Sequence, residues 1–174
     1  MKKAFFLLMI LLPLAFFFVS CNLDGETNSS PSIYVFKPFN QHGDTLDISI
    51  SDDAYILDTI SVGDTVSLKL YMTGYTNNLT SFYLKQSSDS AAKVVLPSKT
   101  SMDSIFVTGS DYKAGKFIMA GNSNNLFFPF KYVAKTANKE SKLTFTITSD
   151  AKFELGSGSN VASFEIKTPI KAKK

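Results

Sequence analysis

The sequence predicts an all-β fold, an antiparallel two-sheet sandwich of seven to nine strands, on three observations. Apolar and polar residues alternate with period two along short runs; clusters of Gly, Asn, Asp and Ser separate those runs at short intervals; and no window carries an apolar stripe at helical spacing over a useful length. Alternation leaves each strand with one apolar face, and a second sheet laid over that face removes it from water. An eight-stranded barrel is the competing way to close the same strands.

The clearest run has Leu143, Phe145 and Ile147 interleaved with Lys142, Thr144, Thr146 and Thr148. Val66, Leu68, Leu70 and Met72 alternate with Thr65, Ser67, Lys69 and Tyr71; Phe82 and Leu84 stand beside Tyr83 and Lys85; Ala162, Phe164 and Ile166 alternate with Ser163, Glu165 and Lys167. Less regular runs fall at 33–36, 46–50, 55–60, 93–96, 104–108, 117–120 and 126–133. Pro129 has no N–H to donate, which puts its part of the last run at an edge or a bulge. Turn formers at Gly63-Asp64, Gly74-Tyr75-Thr76-Asn77-Asn78, Gly109-Ser110-Asp111, Gly121-Asn122-Ser123-Asn124-Asn125 and Gly156-Ser157-Gly158 separate the runs.

The stretch Ile60-Ser61-Val62-Gly63-Asp64-Thr65-Val66-Ser67-Leu68-Lys69-Leu70 resembles the turn and second strand of bacterial immunoglobulin-like domains, in which a Val-Gly-Asp-x-Val turn opens the strand that begins the core. The strands of Phe145 and Phe164 fit the last two strands of that fold by pattern. The resemblance implies an immunoglobulin-like sandwich over residues 33–174. Neither the cysteine pair nor the core tryptophan of antibody domains is present, and fold by itself assigns no activity.

At the N-terminus, Met1-Lys2-Lys3 is basic, residues 4–19 are uncharged and apolar, and Ser20 and Cys21 follow. That is the layout of an export signal. The apolar run is 16 residues, broken by Pro13, and falls short of the ~20 that a membrane-crossing helix needs. Phe18-Val19-Ser20-Cys21 resembles the lipobox of bacterial lipoproteins, whose cysteine is acylated, palmitate among its acyl groups, and becomes the mature N-terminus. Phe18 stands where leucine is usual and Val19 where alanine is usual. Ordinary signal-peptidase cleavage with an incidental Cys21 is the alternative. Cys21 is the single cysteine of the chain, which excludes an internal disulfide and leaves a lone thiol to explain; acylation explains both the residue and its position. Residues 1–20 are thus read as the signal, 21–32 as the lipidated cysteine and a flexible polar tether, and the resemblance places the chain in the cell envelope, at the outer membrane on its periplasmic or outward side. Asp24 and Glu26 close behind Asn22 resemble the acidic patch that routes some lipoproteins to the cell surface.

Charge excludes one class of partner. All 18 basic residues are lysine; without Lys2 and Lys3 there remain 16 against 15 acids, no footprint for nucleic acid. Without arginine the bidentate clamp for phosphate or carboxylate is also missing. About 150 mature residues suit one domain with its own core.

The inventory for catalysis is short. His42 is the only histidine, lies in the loop sequence Phe39-Asn40-Gln41-His42-Gly43-Asp44, and has no nucleophile elbow to serve. One histidine and a lipidated cysteine do not build the usual nitrogen and sulfur zinc sites. Asp44, Asp47, Asp52 and Asp53 cluster, but their spacing is not that of a helix-loop calcium motif. Pairs drawn from these residues with Glu140, Glu154 or Glu165 are the remaining route to carboxylate chemistry. No catalytic residue, metal or cofactor is assigned.

Loop aromatics supply a binding lead: Tyr75 beside Asn77 and Asn78, Tyr112 in Ser110-Asp111-Tyr112-Lys113, and Phe127-Phe128 after an asparagine-rich turn. Aromatic faces with amides grip sugars, although tyrosines near strand ends also simply cover a core rim. Five Asp-Thr/Ser-apolar triplets, at Asp44, Asp58, Asp64, Asp89 and Asp103, resemble an O-glycosylation acceptor of exported bacterial proteins; a turn aspartate before a β-former gives the same letters. The leading reading is a membrane-anchored, non-catalytic envelope binding or assembly module. A carbohydrate-binding accessory lipoprotein using Tyr75, Asn77, Asn78 and Tyr112 is second, with Tyr75 and Tyr112 expected on one exposed face. An unrecognised hydrolase is third.

Overall fold

The computed structural model describes residues 28–51, 54–87, 90–154 and 157–173. The signal, Cys21 and most of the tether lie outside the described residues, as do Asp52, Asp53, Asp89 and Gly156. In chain order the elements are β1 (Ser32–Val35), β2 (Ile48–Ser51), β3 (Ala54–Leu57), β4 (Ile60–Ser61), β5 (Thr65–Thr73), β6 (Leu79–Gln86), β7 (Ala92–Val95), the short helix α1 (Lys99–Asp103), β8 (Lys116–Ile118), β9 (Asn125–Ala134), β10 (Asn138–Ser149) and β11 (Val161–Lys171). Strands β1-β5-β9-β7 form a four-stranded sheet, and β2-β3-β11-β10-β6-β8, with β4 also against β11, form a seven-stranded one. Both sheets are open at their ends, so the sandwich, not the barrel, is the architecture.

Among the described residues the strands number eleven rather than seven to nine. The run at 55–60 is cut at Asp58-Thr59 into β3 and β4, because the Asp58 backbone N–H turns back to the Asp47 carbonyl and its carboxylate accepts from the Asp47 N–H. The run at 104–108 is not a strand: Ser98 caps α1, accepting from the Ser101 N–H at 3.2 Å, and only Phe106 makes a bridge, to Met119. The pairing is also not wholly antiparallel, since β3 and β4 run parallel to β11. Parallel neighbours need a long crossover, and the chain from β5 to β10 provides it.

The four-stranded sheet turns Leu68, Leu70, Phe128 and Phe130 inward; the seven-stranded sheet meets them with Phe82, Leu143, Phe145 and Ile166, all buried. Phe82 is the hub: its ring centroid lies 5.0 Å from Phe117, 5.0 Å from Phe128 and 6.3 Å from Phe145. The Phe82–Phe128 and Phe130–Phe145 contacts, at 5.0 and 5.7 Å, cross between the sheets. Tyr132, fully buried on β9, donates its hydroxyl to Ser141 Oγ on β10; burial pushes its pKa up, so the phenol stays neutral and keeps the bond. Gly115 lets β8 lie against β6: its φ is +67, and a Cβ there would stand 2.0 Å from the Leu84 carbonyl oxygen.

Replacing Phe82 by Ala empties the centre of this ring cluster, and an unfolding loss of about 3–5 kcal/mol is expected, read as a lower midpoint in urea at unchanged slope. Phe127→Ala, on the outward face of the same sandwich, is expected to cost about 1 kcal/mol, the worth of an exposed aromatic pair. Equal losses for the two would show that the inter-sheet rings are not the core.

Candidate aromatic face

On β5 the residues Val66, Leu68, Leu70 and Met72 point into the core, so Ser67, Lys69 and Tyr71 point out. Register carries this parity to the neighbours. Tyr34 pairs with Tyr71 and Tyr71 with Phe127, making one outward row across three strands. One row on, Lys69 pairs with Pro129, and the Phe36 N–H donates to the Lys69 carbonyl at 3.0 Å. Phe39 bridges Ser67 in the row beyond. The rings of Tyr34, Phe36 and Phe127 are 47, 45 and 48% exposed, a contiguous apolar patch of the kind that marks a contact surface.

The rings touch one another. Tyr34 and Tyr71 stack at 6.1 Å, Tyr71 and Phe127 lie 4.8 Å apart, and Phe36 and Phe127 lie 6.0 Å apart. At 4.8 Å with 34° between planes, Tyr71 and Phe127 pack as a tilted pair. Lys69 Nζ sits 4.7 Å from the Phe127 ring and 5.4 Å from Phe36, placing a cation amid the rings. Beside them is an apolar groove of about 420 Å³ lined by Val95, Leu96, Pro97, Pro129 and Phe130 with Ser67, Leu68 and Lys131. It opens because β7 pairs only with residues 131–134 of β9, which leaves Pro129 at an open edge.

Tyr75 joins this face at one end. Its φ of 57 is left-handed, a conformation costing a non-glycine residue about 1 kcal/mol. Its backbone N–H donates to Thr73 Oγ1 at 2.9 Å, and its carbonyl accepts from Asn124 Nδ2 at 2.8 Å. The conformation aims the phenol at β1, where Tyr75 and Tyr34 hydroxyls meet at 2.8 Å and Tyr75 donates to Ser32 Oγ at 3.1 Å. With Tyr75 donating to Ser32, the shared proton of the tyrosine pair belongs to Tyr34. Tyr34 is raised above the ordinary tyrosine value, chiefly by its bond to Tyr75; Tyr75 is lowered, because its phenolate accepts from the reoriented Ser32 hydroxyl first and from Tyr34 second.

The other sequence candidates are used differently. Asn77 Oδ1 accepts from the Ser29 N–H at 3.0 Å and its Nδ2 donates to Asn28 Oδ1 at 3.1 Å. Asn78 makes two bonds to Asp150, through its backbone N–H at 2.8 Å and Nδ2 at 3.0 Å. These amides moor the incoming chain and the β10–β11 connection. Tyr112 is elsewhere: Tyr75 lies by the Leu79 end of β6, Tyr112 by its Leu84 end, about 17 Å along at ~3.3 Å per residue. Tyr112 stacks on Phe117 at 5.7 Å and donates to Asp103 Oδ1 at 2.8 Å, with desolvation first and the Asp103 carboxylate second raising its pKa. It borders one hollow of about 540 Å³ with Lys99, Asp103 and Phe106 and another of about 250 Å³ with Leu84 and Val94. Tyr75 and Tyr112 therefore do not share a face, contrary to the sugar-binding expectation.

His42 sits exposed in its loop. Its Nε2 is 3.4 Å from Gln41 Nε2, while the Asp44 carboxylate accepts from Asn40. Gln41 instead braces the Val-Gly-Asp turn, donating to Asp64 Oδ1 at 3.1 Å and accepting from the Thr65 N–H at 2.9 Å; the Ser61 N–H on the other Asp64 oxygen holds that carboxyl below its ordinary pKa. Glu140 lies 3.3 Å from both Lys142 and Lys167, and Glu165 lies 3.4 Å from Lys142. Those lysines, Lys167 first, lower the Glu140 pKa, the wrong direction for a general acid. Among the described residues no three His, Cys, Asp or Glu converge on a metal position, and no helix is long and apolar enough to cross a membrane. Thr45, Thr59, Ser90 and Ser104 of the Asp-Thr/Ser triplets are exposed, and Thr65 is half-buried.

The order of ionisation in the tyrosine pair is a direct check. Spectrophotometric titration is expected to show one phenol, Tyr75, ionising below the ordinary tyrosine range, with Tyr34 joining Tyr112 and Tyr132 above it. Tyr75→Phe should remove the early step, and Ser32→Ala should move it upward. An unchanged early step in Tyr75→Phe would place the first ionisation on another tyrosine.

No protein-family model and no curated protein matches this chain. Among solved structures it is similar to a DUF4466 family protein from Parabacteroides merdae, with 12% identity and a TM-score of 0.39 over 81% of this chain and 45% of that one. The chain thus spans less than half the length of that structure.

Proposed function

We propose that this protein is a lipid-anchored, non-catalytic binding module of the bacterial cell envelope, held at the outer membrane through acylated Cys21, with the outward aromatic face of the four-stranded sheet as its contact surface. The observation that carries the reading is that face: Tyr34, Phe36, Tyr71 and Phe127 form an exposed cluster that the sandwich core does not need. The inner residues of the same strands already close the core.

The immunoglobulin-like plan belongs with this proposal. It is supported by the order β1-β5-β9-β7, which is that of an ABED sheet, and by the stretch β11-β10-β6 of the seven-stranded sheet, which is that of a GFC sheet with β8 added at one side and β2, β3 and β4 at the other. Two departures are that β7 precedes β8 in the chain and that β2 to β4 are inserted between the first two strands of the four-stranded sheet.

Glycan binding has one supporting feature, the polar rim of Tyr75, Tyr34 and Ser32 hydroxyls. Against it, Asn77 and Asn78 are spent on mooring, Tyr112 lies away, and the Lys69 ammonium lies over the Phe127 ring. Hydrolysis has less support, since His42 and the Glu140 and Glu165 carboxylates are partnered as described.

Cells fed an alkyne-bearing fatty acid are expected to yield a processed chain that starts at Cys21, carries the label on that residue and sediments with membranes. Cys21→Ser should abolish the label and move the protein to the soluble fraction. Recovery of the wild-type processed chain with a free thiol would refute the anchor.

A further inference from the structure

Three features coincide at the four-stranded sheet, and together they select one kind of partner. The first is where the anchor enters. Asn28 Nδ2 donates to the Lys152 carbonyl at 2.6 Å, the Ser29 N–H to Asn77, and Ser30 Oγ accepts from the Ser159 N–H at 3.2 Å. The chain is therefore fixed to the domain at residues 28–30, and two residues later Ser32 begins the edge strand of the aromatic sheet. Between Cys21 and Asn28 lie six residues, which reach at most about 25 Å. The aromatic row at Tyr34 starts four residues beyond Ser30, the last residue of this mooring.

The second feature is charge. Outward positions of β1, β5, β7 and β9 carry Lys69, Lys93 and Lys131 and no Asp or Glu. The outward face of the seven-stranded sheet carries Glu140 and Glu165 with their lysines. Among outward strand positions only those of the aromatic sheet are purely basic, with Asp44 and Asp64 confined to the loops beyond its Phe39 end, and a basic apolar face complements anionic head groups.

The third is the order of side chains within the face. Phenylalanine rings and a groove of Val, Leu and Pro supply apolar surface, tyrosine hydroxyls stand at the mooring end, and the Lys69 ammonium rises between rings on a flexible stem. Tyrosine and lysine at the margin of apolar side chains is the distribution of a protein surface seated at the boundary between head groups and acyl chains. A pyranose ring needs an open aromatic face, and the Lys69 ammonium lies over that of Phe127.

Resting on the reading of Cys21 as a lipid anchor, we propose that this face lies on the bilayer that holds the anchor, with Phe36 and Phe127 seated below the head groups and Lys69, Lys93 and Lys131 at the phosphates. The domain is then oriented on the membrane, and the seven-stranded sheet, with its Glu140–Lys142–Glu165–Lys167 cluster, faces away from it.

The test is photolabelling of the processed protein on vesicles of phosphatidylethanolamine and phosphatidylglycerol doped with a lipid bearing a diazirine on its acyl chain. Adducts are mapped by mass spectrometry. Peptides containing Phe36, Tyr71 and Phe127 are expected to be labelled at least tenfold over those of β10 and β11, and Phe36→Ser/Phe127→Ser should abolish that excess while leaving tether labelling unchanged. Adducts confined to the tether, or spread equally over both sheets, overturn the proposal while leaving the anchor in place; the face then belongs to a protein partner. If the intact mass shows Cys21 unmodified, the anchor reading fails separately, and the same labelling with the free Cys21 thiol coupled to a maleimide-bearing lipid decides the face: excess adducts there uphold it, their absence overturns it.

Discussion

The closure of two sheets over a layer of interlocked phenylalanine rings is the interaction on which everything else depends. The only cysteine lies at position 21, ahead of the domain, so no disulfide shares the work. Cohesion rests on apolar burial and on ring geometry, with Phe82 touching rings from both layers. Buried aromatics carry large areas and prefer offset or edge contacts, and such packing tolerates little change of volume. This fixes the inward parity of β5, β9, β10 and β11. Once that parity is fixed, the outward residues are fixed too, and the outward aromatics of β1, β5 and β9 are not a by-product of core formation.

A second set of interactions determines how this sandwich meets the incoming chain. Asn77, Asn78 and Asp150 bind three segments that are far apart in sequence, the start of the domain, the β5–β6 connection and the β10–β11 connection. Charge-assisted bonds from an amide to a carboxylate are the stronger kind. The same connection holds Tyr75 in its left-handed conformation, so the mooring of the tether and the rim of the aromatic face are set by one loop. Strain of this sort persists only where its surroundings enforce it, and here Thr73 and Asn124 do so.

The sequence made much of the scaffold legible. Period-two alternation located β5, β6, β10 and β11, whose inner residues belong to the core, and Gly63-Asp64 marked the turn that Gln41 braces. Partner and direction were not legible, because alternation states which face is buried and says nothing of which strand lies beside it; the parallel pairing of β3 and β4 with β11 has no local signature. The run at 104–108 misled because Ile105 and Phe106 are apolar for a different reason, covering the sandwich beside α1. The aromatic face was half visible. Tyr75 and Phe127 stood out next to turn residues, whereas Tyr71 was sorted with the polar side of its strand and Tyr34 and Phe36 lay in an irregular run. Their shared outward parity was the available signal, and only register shows that Tyr34, Tyr71 and Phe127 form one row.

Tethering changes what such a face must achieve. A soluble domain that docks on a bilayer pays the translational and rotational cost of association from its own contacts. A domain already joined to the bilayer by about 25 Å of chain experiences it at an effective concentration on the order of millimolar. Surface affinity far too weak to recruit a free protein then suffices to orient a tethered one. Two half-exposed phenylalanines at a few tens of calories per Å² and three lysines near anionic phosphates, at about 1 kcal/mol each, are of that modest order. A face larger and more apolar than this would hazard aggregation. Its size, the basic charge of its strand positions and its closeness to the mooring suit the proposed contact, one that steers the domain where the proposed acyl anchor holds it.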